Sequence, residues 1–151
     1  MKLENFFKWF GIVAILAVGV IHLVYAPGEY EETPYVGILF FVTFLLSLLA
    51  AIGIYMEALI TTWVRGSFLN VRAAFFWGWT LGWVLCVGSI LGYLVSRTVG
   101  LPVAGAEEWG PLPAFLSILV EIIFLVLFYR WQPVILTIRR AKSAQNDGRV
   151  A

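Results

Sequence analysis

Glu121, Arg97 and His22 are the residues of this chain best able to do chemistry, because each lies in or beside an apolar run where polar groups are costly. Glu121 falls nine positions after Leu112, where the fourth such run begins, which places its carboxylate about 14 Å along a helix. A central acid costs roughly 2.5 to 3.5 kcal/mol to insert in a bilayer, so it is normally paired, protonated or functional. Arg97 closes the third run, with Tyr93 one turn earlier on the same helical face. His22, the single histidine, stands four residues before the end of the first run, with Tyr25 three positions on. Neutral imidazole is a metal ligand and a proton carrier, and Glu29, Glu31 or Glu32 could complete a weak site beside it. His22, Tyr25, Tyr93, Arg97 and Glu121 therefore form a candidate ligand-binding set for a metal ion, a quinone or a small anion. Structural roles compete with this: a hydrogen-bonded packing histidine, an interfacial arginine, and a Glu121 held by Arg97 or by a hydroxyl.

The elements that must position these residues follow from composition. Of 151 residues 62% are apolar and 13% charged, too little polar surface for a water-soluble domain. Four apolar stretches, near 6–26, 35–59, 73–97 and 112–129, each supply the roughly 20 residues that cross about 30 Å of hydrocarbon as a helix. Lipid offers backbone groups no partner, and barrel-type alternation is absent. The expected fold class is all-α: one transmembrane domain over 1–151, an integral membrane four-helix bundle with a tail over 130–151. Lys2 and Lys8 before an apolar run superficially suggest a secretory signal, but the run is long and lacks a small-residue cleavage site, so it reads as a retained span.

Lys and Arg at positions 2, 8, 65, 72, 130, 139, 140, 142 and 149 fall on one side of this layout, and only Arg97 on the other. The asymmetry places both termini in the cytoplasm and the chain in the inner (cytoplasmic) membrane as a multi-pass protein. Glu29, Glu31, Glu32, Glu107 and Glu108 lie on the outer side, and Trp9, Trp63, Trp109 and Trp131 near span ends, where indoles favour the interface. Arg139, Arg140 and Lys142, after an interfacial segment that follows Pro133, serve as a lipid anchor, and nucleic acid is not implied. Glu57 can reach Arg65 or Arg72 in a structural role. Within the bilayer, small residues mark close helix packing. Gly78 with Gly82 and Gly88 with Gly92 predict two such contacts on the third span, Ser47 with Ala51 one on the second, and Gly11, Ala14 and Gly19 one on the first. Phe75, Phe76, Trp77, Trp79 and Trp83 read as lipid-facing and interfacial, or alternatively as a contact with another subunit or a flat cofactor.

Ile21-His22-Leu23 with Pro27, and Ser96-Arg97-Thr98-Val99-Gly100-Leu101-Pro102, resemble an uncharacterised bacterial family of small four-span membrane proteins. That family has a His near the outer end of the first helix and a Ser-Arg-Thr-x-Gly-x-Pro signature after the third. The resemblance covers the layout of most of the chain and is specific at those two places. It implies that His22, Ser96, Arg97 and Glu121 belong to one extracytoplasmic feature, and it supplies no established activity. Family members often carry a second His after the loop Pro; Gly28, Glu29 and Tyr30 stand there here, which puts a two-His metal site in question.

One histidine excludes a bis-His haem within one chain, and Met56 lies at the opposite membrane face from His22, so His–Met ligation fails too. Cys86 alone cannot form a dithiol pair. No Walker loop, G-x-S-x-G or H-E-x-x-H pattern is present, so an enzyme is not the leading class. The leading expectation is a non-catalytic accessory subunit of a larger membrane complex, its partners lipid and other subunits or itself. The alternatives are the outer-half binding site described above and an oligomeric transporter or channel.

Overall fold

The computed structural model describes residues 3–63, 77–100 and 114–130, and they are helical almost throughout. Among them are four helices: α1 (Leu3–Glu32), α2 (Pro34–Trp63), α3 (Trp77–Thr98) and α4 (residues 114–130). Three of these, α1, α2 and α3, are long and apolar enough to cross a membrane. At 30 residues each, α1 and α2 measure about 45 Å and exceed the hydrocarbon thickness.

The expected loop at 27–34 is helix instead. Pro27 sits inside α1, where its ring forgoes only the bond to the Leu23 carbonyl, and the chain continues helically to Glu32. Thr33 alone separates α1 from α2. Its N–H donates to the Glu29 carbonyl at 2.7 Å, and its own carbonyl accepts from Val36 N–H at 2.9 Å. Pro34 then occupies the first position of α2, where a missing N–H costs nothing. At the end of α3 the Val95 carbonyl accepts from both Val99 and Gly100 N–H at 3.0 Å. Gly100 has φ 86°, a left-handed conformation that disfavours a side chain, which gives the glycine of the Ser-Arg-Thr-x-Gly-x-Pro segment a backbone role.

Small residues set the helix approaches. A Cβ on Gly19 would meet Ser47 Cβ at 2.8 Å, bringing α1 onto α2, and one on Gly78 would meet the Gly53 backbone at 2.6 Å, bringing α3 onto α2. Trp79 is 3% exposed, lies over Gly11 of α1 and stacks on Phe124 of α4 with ring centroids 5.4 Å apart. Gly82 faces the same Phe124 ring. Trp79 thus leaves the expected lipid-facing group and joins the core with Ile15, Val18, Ile54, Cys86 and Phe124. Trp77 stays exposed, while Trp83 is partly buried and donates to Tyr129 Oη at 3.3 Å. Gly88 and Gly92, expected to be packing positions, meet nothing within 4 Å.

At the opposite end from the α1–α2 turn, Trp9 lies 6.1 Å from the Tyr55 ring and Lys8 5.6 Å over it, an arrangement suited to an interface. The side chains of Glu57 and Trp63, and all of Arg65, Arg72, Phe75, Phe76, Glu107, Glu108, Trp109, Trp131 and the tail, lie outside the described residues.

Candidate functional site

Near the α1–α2 turn the helices part around a cavity of about 430 Å³. The space exists because α3 carries Gly88 and Gly92 there: a helix with no side chain on two successive turns of one face leaves a groove where Gly78 and Gly82 admit neighbours. Walls from α2 and α3 are aliphatic and aromatic, including Leu39, Phe40 and Val84. His22, Tyr25, Tyr93, Arg97 and Glu121 all line this one cavity, although they come from three helices and span about 100 positions of sequence.

The floor is polar. Glu121 is 1% exposed and its Oε1 accepts from Ser117 Oγ, one turn earlier on α4, at 3.1 Å. Oε2 has no hydrogen-bond partner among the described residues. Ser89 on α3 neighbours this carboxyl and also lies 3.2 Å from His22 Nε2. On the other side of the imidazole, Nδ1 lies 2.9 Å from the Val18 carbonyl. A carbonyl can only accept, so Nδ1 carries a proton, and in the neutral ring Nε2 accepts from the Ser89 hydroxyl. The ring packs edge-on against Phe40 at 4.9 Å. His22 is therefore both a packed, hydrogen-bonded histidine and part of the cavity floor.

Two other hydroxyls at the cavity bond to their own helices: Thr43 donates to the Leu39 carbonyl at 2.9 Å and Ser96 to that of Tyr93 at 2.8 Å. Ser117 instead turns to a side chain. Ser89 and Ser117 escaped the sequence reading; the signals were Ser117 one turn before Glu121, and Ser89, Tyr93 and Arg97 at four-residue spacing along one face of α3.

The mouth is charged. Arg97 lies over the Tyr93 ring at 5.1 Å and has Glu29 as a charge neighbour. The sequence leaves Glu121 either to Arg97, directly or through one intervening polar group, or to a hydroxyl; the structure sets Ser117 and Ser89 against that carboxyl, and Arg97 stands two turns, about 12 Å, beyond Ser89 along α3. The continuation of α1 past Pro27 carries Glu29, one turn after Tyr25, to the rim, where it feels the charge of Arg97.

Among the described residues Val18, Ile15, Trp79 and Phe124 pack together in the core, and none of them lines the cavity. Among the described residues no three His, Cys, Asp or Glu side chains are grouped to hold a metal ion. No protein family, curated protein or solved structure matches the chain.

Proposed function

We propose that this chain is a four-span inner-membrane protein with both termini in the cytoplasm, and that its outer half binds a small lipophilic molecule. One observation carries the reading: His22, Ser89, Ser117 and Glu121, polar side chains that three apolar helices hold at depth, converge on one cavity with mostly apolar walls. Pockets of about 300 to 1,000 Å³ with a few converging polar groups are the usual form of small-molecule sites. Intramembrane ionisable groups point the same way.

Charge asymmetry supports the orientation, with Arg97 and Glu29 at the outer mouth and Glu121 and His22 at the floor. A purely structural accessory subunit has no need of such a cavity. A channel through one chain has the Trp79–Phe124 core in its way. Binding thus stands ahead of both, and association with a larger complex is compatible with it.

The test is co-purification. Protein extracted in mild detergent should carry a lipophilic species detectable by native mass spectrometry. The Gly92→Phe variant, which fills open space, should carry at least about tenfold less at unchanged thermal stability. Equal occupancy in both proteins would refute the proposal.

A further inference from the structure

Glu121 presents an unusual arrangement at the cavity floor. Its side chain is 1% exposed, Ser117 donates to Oε1, the Ser89 hydroxyl also stands against the carboxyl, and Oε2 has no hydrogen-bond partner within 3.5 Å among the described residues while the side chain lines the cavity. Buried polar atoms are otherwise nearly always paired, and an orphan at the end of a pocket marks where a ligand atom belongs. Resting on the binding reading above, we infer that Glu121 Oε2 receives the hydroxyl group of a lipophilic alcohol or phenol whose apolar body lies along Leu39, Phe40 and Val84.

Three observations select a neutral hydroxyl. A hydroxyl both donates and accepts, so it pairs with Oε2 whether the carboxyl is ionised or protonated. The other floor groups, the Ser89 and Ser117 hydroxyls and the His22 imidazole, are hydrogen-bonding groups that fit a small polar head. A lipophilic cation would call on aromatic faces as well, and two of those at the cavity are engaged: Arg97 covers the Tyr93 ring and His22 packs on Phe40. A cation would also have to pass the Arg97 guanidinium at the mouth.

The experiment measures saturable binding of radiolabelled 4-octylphenol to the full chain in lipid nanodiscs, with empty nanodiscs as background, and compares it with 4-octylanisole, the same body with the hydroxyl methylated. The wild type should prefer the phenol by about tenfold, the value of one buried hydrogen bond. Glu121→Leu should reduce that preference to near one while retaining the anisole affinity, and Glu121→Gln, which can still donate and accept, should keep part of it. Equal wild-type affinity for the two probes would overturn the headgroup assignment and leave the cavity reading standing. A full preference surviving in Glu121→Leu would overturn the role of Glu121. Displacement of the phenol by tetraphenylphosphonium at lower concentration than by unlabelled phenol would overturn the neutral-headgroup choice. Saturable binding of neither probe would overturn this inference together with the proposed function.

Discussion

Glu121 and its hydroxyl neighbours illustrate how a buried acid is tolerated in an apolar helix. Ser117 supplies one hydrogen bond at 3.1 Å from the adjacent turn, so the Ser117→Ala variant should lose about 1 to 3 kcal/mol of stability by leaving a buried oxygen unsatisfied. Adding Glu121→Leu should recover much of that loss, because an apolar pair no longer strands a polar atom. Additive losses in thermal unfolding of the single and double variants would show that the two side chains act independently. At the mouth the expectation differs. Arg97 and Glu29 face each other near solvent, and their double-mutant cycle should show a coupling of at most about 1 kcal/mol that fades with salt. The Arg97–Glu121 cycle should be additive within about 0.5 kcal/mol, since the two stand at different depths. A coupling larger than that between Arg97 and Glu29 would restore Arg97 as the partner of Glu121.

Among the elements, α3 divides into two functional halves by its glycines. Gly78 and Gly82 lie against the Gly53 backbone and the Phe124 ring, whereas Gly88 and Gly92 open onto the cavity. Gly78→Leu and Gly82→Leu should therefore overpack and cost roughly 1 to 3 kcal/mol, while Gly88→Leu and Gly92→Leu should melt as the wild type does. Equal destabilisation of all four variants in detergent would contradict the division. Sequence alone could not make it: all four glycines share the four-residue spacing that marks helix packing, and what distinguishes them is which side chain the neighbouring helices bring to that level. The apolar runs themselves were legible because length and hydropathy dictate them. The α1–α2 turn was not, since proline next to glutamates reads as a loop unless the single bond lost at Leu23 is weighed against a helix that can simply continue. Trp79 was misassigned for a related reason: an indole near a span end reads as interfacial until the glycine opposite it, Gly11, is seen to leave it room.

For the whole molecule, the polar residues that are costly in lipid, His22, Arg97 and Glu121, line one cavity, a convergence that their depth in apolar runs suggests, whereas the pairing among them is not legible in the sequence. Orientation depends on charge and is tested separately: reporter fusions should place residues 28–32 outside and the C-terminus in the cytoplasm, and an exterior C-terminus would overturn the proposed four-span arrangement. The binding claim itself is tested most directly by photolabelling. A diazirine analogue of 4-octylphenol, photolysed with the wild-type chain in nanodiscs and mapped by mass spectrometry, should modify Glu121, Tyr93 or His22, and excess unlabelled phenol should suppress those adducts. Labelling confined to outward-facing side chains such as Val24 and Leu91, unaffected by competitor, would contradict the account.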